Sequence, residues 1–295
     1  MLERFNFPPK LSQLVMECVT SPSYSILING APKGYFKGKR GLRQGDPISP
    51  YLFVLCMEVL SRMLGVMAEK PGFGFHPKCA RVGLTHLAFA DDLLIFCKGD
   101  LSSVREVKTC LGEFFEMSGL RVNVAKSTIF TSGVKTREEE EEMVDLLGYE
   151  VGTFPVPYLG TPLHTKKLSR EGYAPLLDKV KGLIDTWATR TLSYVGRLQL
   201  VKAVLGGVLS FWNNILLLPQ EVIEKIEGLC RRFLWNGKDG GRNNPERWEV
   251  VTLPVEEGGL GVKEILAWNK ATLFKLIVDI GEKRPCIWVR WVEAN

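Results

Sequence analysis

Two adjacent carboxylates, Asp91 and Asp92, interrupt an apolar run that extends from Leu84 to Cys97 (Leu-Thr-His-Leu-Ala-Phe-Ala-Asp-Asp-Leu-Leu-Ile-Phe-Cys). The flanking residues read as two strands, and Asp tolerates turn geometry, so the pair is expected at the tip of a hairpin. Like charges this close repel unless a cation sits between them. A tip of this kind is an oxygen-rich seat for a hard ion such as Mg²⁺. An ordinary surface turn containing two Asp residues fits the same pattern, so the stretch alone leaves both readings open.

Charge is unevenly spread. Residues 1–135 carry 17 Lys/Arg against 11 Asp/Glu, whereas 136–295 carry 21 against 22. The excess is densest at Lys33, Lys37, Lys39, Arg40 and Arg43, eleven residues with five cations and no acid. Such a stretch suits a phosphate backbone, or a solvated basic loop. The seven cysteines form no C-x-x-C pair, and the three histidines are scattered, which argues against a zinc site and for reduced thiols in an intracellular protein. No apolar core follows Met1-Leu-Glu-Arg as a signal peptide would require. The apolar stretch Val201 to Leu218 is broken by Lys202, Asn213 and Asn214. The chain is expected to be soluble, with no membrane partner.

Along the chain, Leu2 to Phe7 reads as the end of a helix stopped by Pro8-Pro9. A short helix is expected over 11–19, and a strand over 24–29. A turn at Gly30-Ala31-Pro32 and a partner strand over 35–39 follow. Arg43-Gln-Gly-Asp-Pro47 is a loop. Ser49 is the expected N-cap of a helix reaching about Glu69, with Pro50 at its first position and Leu52, Cys56, Val59, Leu60 and Met63 on one face. A helix over 101–117 leads to a strand over 128–131, and Glu138 to Glu142 begin another helix as a solvated, dipole-compatible face. Tyr158 to Leu163 is a short strand or turn. Helices are expected over 171–189, 194–216 and 220–235, a mobile loop over 236–244, an isolated strand over 250–253 and a last helix to about Ile280. Gly258-Gly-Leu-Gly261 lacks the following Lys-Ser/Thr of a phosphate loop. The tryptophans are expected to pack in cores.

Four segments in order carry a resemblance: Arg43-Gln-Gly-Asp-Pro-Ile-Ser-Pro50, Phe89-Ala-Asp-Asp92, Gly119-Leu-Arg-Val-Asn-x-x-Lys-Ser127 and Tyr158-Leu-Gly160. Together they closely resemble reverse transcriptases of non-LTR (LINE-type) retrotransposons, particularly those of plants, over nearly the whole chain. The resemblance implies an α+β fold: a partial right-hand polymerase palm, an antiparallel sheet with helices, over 1–164. A helical thumb over 165–235 and a truncated connecting segment over 236–295 would follow. It implies RNA-directed DNA polymerase activity on an RNA template and a DNA primer with deoxynucleoside triphosphates, assisted by two Mg²⁺ ions held by Asp91 and Asp92. Lys126 is implied near the leaving pyrophosphate. Arg43, Gln44, Gly45 and Phe89 would border the incoming nucleotide. Lys37, Lys39, Arg40, Tyr158, Leu159, Gly160, Arg197 and Lys202 would contact nucleic acid, with Lys179, Lys181 and Arg190 as further thumb candidates.

One departure bears on activity. These polymerases need another carboxylate, on a strand upstream of the basic hairpin, and neither Glu3 nor Glu17 sits in such a strand. The chain is therefore expected to be N-terminally truncated, without fingers, endonuclease or RNase H domains, and to be impaired in catalysis. It would also lack the strand beside the Asp-Asp hairpin. A non-catalytic nucleic-acid-binding remnant, or a maturase-like protein acting on intron RNA, are the alternatives.

Overall fold

The structure is a computed structural model that describes residues 2, 5–38, 41–131, 136–165, 168–188, 191–236 and 246–295. The chain divides into two compact units, Met1–Gly152 and Thr153–Asn295.

In the first unit, α1 (Pro9–Thr20) uses Pro at its start, where the missing N–H costs nothing. Phe5 and Phe7 donate to the Leu2 carbonyl, a turn where the end of a helix was expected. Strands β1 (Ser23–Ile28) and β2 (Ala31–Lys37) pair antiparallel. Their turn is Asn29-Gly30, not Gly30 to Pro32, because both residues adopt the positive φ that a two-residue hairpin demands (53° and 80°). Next come α2 (Ser49–Ala68), β3 (His86–Phe89), β4 (Asp92–Ile95) and α3 (Leu101–Ser118). Asp100 caps α3 by accepting from the Ser103 N–H at 2.9 Å, and Gly119 ends it with a left-handed φ of 73°. Strand β5 (Thr128–Ile129) is shorter than expected and pairs in parallel with β6 (Glu150–Val151), across α4 (Arg137–Leu147). Thr136 caps α4, and the glutamates occupy its first turn and beyond, where they favour the positive end of its dipole.

The core of this unit lies between α2 and α3. Leu60, Leu64, Met67, Val107, Cys110 and Phe114 bury together with Phe73, and Leu93 and Ile95 of β4 pack against them. The buried stripe of α2 is thus Leu52, Leu60, Leu64 and Met67, while Cys56, Val59 and Met63 are only half-buried. Ser49 is not the cap. Ile48 holds that position, and the Ser49 hydroxyl donates instead to the Arg43 carbonyl at 2.7 Å.

The expected antiparallel palm sheet is replaced, among the described residues, by four separate two-stranded ladders, three antiparallel and one parallel. No described strand adjoins β3 or β4, so both outer edges of that hairpin keep unpaired backbone groups.

The second unit opens with the hairpin β7 (Val156–Tyr158) and β8 (Thr161–Leu163) and is otherwise helical. Helices α5 (Ala174–Ala188), α6 (Tyr194–Leu200), α7 (Gly206–Asn213) and α8 (Gln220–Asn236) are followed by α9 (Trp248–Val251), α10 (Ile265–Gly281) and α11 (Ile287–Ala294). One core gathers Leu176 and Val180 with Leu205, Trp212, Ile223, Ile226, Cys230 and Leu234. A wide π-turn over Val201–Leu205 splits the helix expected over 194–216. The expected strand over 250–253 is helical at Trp248–Val251, because Trp248 and Val251, one turn apart, both bury into this core. The mobile loop expected over 236–244 lies, except for Asn236, outside the described residues. Trp212 and Trp248 are buried and Trp187 and Trp235 pack on the core, but Trp268 and Trp288 are exposed.

Two helical stretches, Ser49–Ala68 and Tyr194–Asn213, are long and apolar enough to cross a bilayer, with mean hydropathies of 1.7 and 1.2. Leu60, Leu64 and Met67 of the first and Leu205, Leu209 and Trp212 of the second lie in the two cores, while most of each stretch, Tyr51, Val54 and Val66 included, is not buried.

Burial also sorts the thiols. It pushes Cys97 and Cys110 up to about 11 and Cys230 up to about 12, whereas Cys18 and Cys286 are exposed. Because the thiolate is the reactive form, a thiol reagent at pH 8 should label Cys18 and Cys286 in the native chain and spare Cys230 until denaturant is added. Peptide mass mapping of the labelled protein reads this directly.

Candidate functional site

The acid pair sits where its neighbours force it to sit. In the β3–β4 register, Phe89 faces Asp92, Ala88 faces Leu93, Leu87 faces Leu94 and His86 faces Ile95. Alternation puts Leu93 and Ile95 on the face that packs on α2 and α3, with Ala88 and His86 beside them. Asp92, Phe89, Leu87 and Leu94 therefore share the opposite face. Phe89 is 62% exposed there. A one-residue slip would exchange the two faces, so burial of Leu93 and Ile95 is what aims Asp92 outward.

The turn itself is Ala90-Asp91. Ala90 adopts a left-handed φ of 52°, unusual for a residue with a Cβ. Both aspartates are exposed, and among the described residues neither makes an ion pair. At the base of the hairpin, burial lowers the pKa of His86, which shares a 2.8 Å hydrogen bond with the Thr85 hydroxyl. The ring is therefore mostly neutral near pH 7 and brings little positive charge to the hairpin.

Oxygen donors of the right kind for Mg²⁺ are thus present, but among the described residues no group of three His, Cys, Asp or Glu side chains is placed to hold a metal. Asp91 and Asp92 match such an ion in chemistry and fall short of it in number.

The loop before α2 is held by its own backbone. Asp46 N–H donates to the Arg43 carbonyl at 3.3 Å, and the Ile48 N–H donates to Asp46 Oδ1 at 3.2 Å. Gly45 has a φ of 88° and open space where a Cβ would be. Its glycine answers to backbone conformation, not crowding. Arg43 and Gln44 are exposed, as is Lys37 opposite Ser23 in the β1–β2 ladder. Lys39 and Arg40 lie outside the described residues, as does Arg190. Lys126 is exposed at the end of a 3₁₀ turn, Val124–Lys126, and has no ion pair with Asp91 or Asp92.

In the second unit, Tyr158 closes β7 opposite Thr161, with Leu159 and Gly160 as the turn (φ 49° and 81°). Gly160 approaches Phe211, which a Cβ would meet at 3.7 Å. Arg197 is committed to the fold: its Nε donates to the Leu234 carbonyl at 2.9 Å and its Nη1 to that of Leu192 at 3.0 Å. Neither link was legible in the sequence, since both acceptors are backbone groups at helix ends. Lys202 lies half-buried in the π-turn.

Residues 1–161, which contain every feature of the first unit just described, match the family model for reverse transcriptase (RNA-dependent DNA polymerase). The chain belongs to the reverse transcriptase family. A transposon TX1 149 kDa protein of Xenopus laevis, itself uncharacterized, is 25% identical over 274 residues, 88% of this chain. The Pol polyprotein from the type-2 retrotransposable element R2DM of Drosophila melanogaster is 32% identical over 162 residues, 54% of this chain. An uncharacterized mitochondrial protein of Arabidopsis thaliana is 51% identical over 70 residues, 23% of this chain. The chain spans 19%, 14% and 56% of the lengths of these three relatives. It is a reverse transcriptase domain of the non-LTR retrotransposon kind.

The strained turn of this reverse transcriptase domain gives a direct test. Ala90→Gly should be tolerated or stabilising by up to about 1 kcal/mol, while Ala90→Val should destabilise by roughly 1–2 kcal/mol, since a β-branched residue disfavours positive φ. Thermal or urea unfolding monitored by circular dichroism compares them.

Proposed function

We propose that this chain is the part of an RNA-directed DNA polymerase that presents the Asp91–Asp92 tip, the Arg43–Gly45 loop and a helical nucleic-acid-contacting unit. In this reading residues of the first unit are a partial palm, the helices from α5 to α8 a thumb, and the remainder a connecting segment. Its substrates are an RNA template, a DNA primer and deoxynucleoside triphosphates, handled within the cell. The observation that carries this reading is the register-fixed exposure of Asp92 and Phe89 on one open hairpin face.

Reverse transcriptases generally use divalent metal ions. With two carboxylates and no third ligand among the described residues, no metal-dependent step is assigned to this chain. What its own residues supply is charge and shape. Arg43 and Lys37 offer exposed cations to phosphates, and Arg43 sits at the head of a helix whose preceding loop is locked by Asp46 and Ser49. Phe89 offers an apolar edge beside the acids. The incomplete donor set also favours the reading in which the chain binds nucleic acid without extending a primer.

Primer extension separates these outcomes. On an RNA template with a DNA primer, the chain alone is expected to give no more extension than Asp91→Ala/Asp92→Ala, and unaided extension lost in that variant would show that a further ligand is in place. Template binding should survive the same double substitution. It should weaken steeply with salt, and Lys37→Ala/Arg43→Ala should reduce the log–log salt slope by about 2. Binding insensitive to salt in fluorescence anisotropy would contradict the phosphate-contact role.

A further inference from the structure

We propose that a cavity in the second unit, beside the π-turn between α6 and α7, binds a single pyrimidine nucleotide. For the class of ligand the inference rests on the nucleic-acid reading above. The cavity has a volume of about 130 Å³. A cavity of about 150 Å³ accommodates benzene, so one six-membered ring matches the volume, and the second ring of a purine would extend beyond it.

The walls come from two sides. On one, the helix loosens into the π-turn at Val201–Leu205, a rare device that is frequent at functional sites. On the other, Gly261 has a φ of 63°, and a Cβ there would lie 3.4 Å from Lys202 Nζ and 3.1 Å from Val255 Cγ2. The absent side chain leaves room for the Lys202 ammonium across the glycine. Trp248 and Trp268 add aromatic lining suited to a planar ring.

The polar groups select the ligand further. Asn213 lines the cavity and is 2% exposed, yet its Oδ1 has no hydrogen-bond partner among the described residues. An unsatisfied buried acceptor is costly, and a donor in the ring would satisfy it. Uracil N3–H and the cytosine amino group are both such donors. Lys202 and Lys263 also line the cavity, which has no acidic residue in its walls. Lys263 Nζ lies 3.7 Å from the Trp268 ring centroid, so its ammonium is held over an aromatic face. Two cations beside a ring-sized cavity match a phosphate attached to a base.

Isothermal titration of the full chain with cytidine and uridine monophosphates tests this. Both should bind at least tenfold more tightly than adenosine monophosphate or ribose 5-phosphate, and Ser210→Phe, which fills the cavity, should abolish the preference. Should that variant fail to fold, Lys202→Ala/Lys263→Ala should weaken the monophosphates at least tenfold and leave cytidine, which lacks the phosphate, unchanged. Equal binding of ribose 5-phosphate would reveal a simple anion site and overturn the proposal. So would no pyrimidine binding by a chain that still binds RNA in a salt-dependent way, which would leave the polymerase reading standing. Failure of both would remove that reading as well.

Discussion

The packing of Leu93 and Ile95 against α2 and α3 is the contact on which the candidate active site depends. A two-stranded hairpin is marginal in water, and β3–β4 has no neighbouring strand among the described residues. One covered face must therefore supply both its stability and its register. With that face fixed, Asp92 and Phe89 have no choice of side, and Asp91 is carried on the turn. Loop anchors reinforce the arrangement: Lys98 N–H donates to the Gly74 carbonyl and Gly74 N–H to the Ser103 hydroxyl, at 2.8 and 2.9 Å. The placement of the charges is thus a product of the apolar core, and the acids themselves contribute only repulsion until a cation or other positive group joins them.

The same principle explains an asymmetry within the first unit. The β3–β4 hairpin has one face on a core. The β1–β2 hairpin has none among the described residues: Ile26, Leu27, Ile28, Tyr35 and Phe36 are all exposed, beside Lys33 and Lys37. Apolar strands left open on both faces, with unpaired edges, carry an aggregation liability unless something covers them. Conformational cost alone gives no reason for Ile, Leu, Tyr and Phe to cluster there.

Elements with a local signal were legible in the sequence, and those decided by distant contacts were not. Helix α4 could be placed because its first-turn glutamates are local, and α3 because apolar residues recur along it at helical spacing. The Asp-Asp hairpin could be placed because two apolar runs meet at a turn-tolerant pair. By contrast, residues 250–253 have strand-like composition, yet Trp248 and Val251 take a helical turn because both reach the second core. Ser49 has the right identity for a cap, but the Arg43 carbonyl outcompetes the helix for its hydroxyl. Arg197 looks like a phosphate contact in a list of residues, whereas two of its donors hold backbone carbonyls of Leu192 and Leu234. The single sheet expected from the family resemblance is the largest difference. Strand pairing depends on which strands are present together, and composition within each strand says nothing of that.

Membership of a polymerase family and possession of its chemistry are separable here on physical grounds. The Arg43–Gly45 loop is held by its own short-range hydrogen bonds and the Phe89–Asp92 hairpin by its packing on α2 and α3, so both persist whether or not a complete ligand set surrounds them. Nucleotidyl transfer is less forgiving, because it needs charge stabilisation from groups converging on one small volume, and removing one preorganised group from such a site commonly costs several kcal/mol of barrier. Binding a template needs only cations distributed along a surface, where each contributes separately and the loss of one is a modest, salt-dependent decrement. On the proposed function, a basic first half and an acid cluster incomplete among the described residues make affinity for nucleic acid less demanding than turnover. This ordering makes binding the property to expect from the described residues by themselves, and catalysis the property that depends on what joins them.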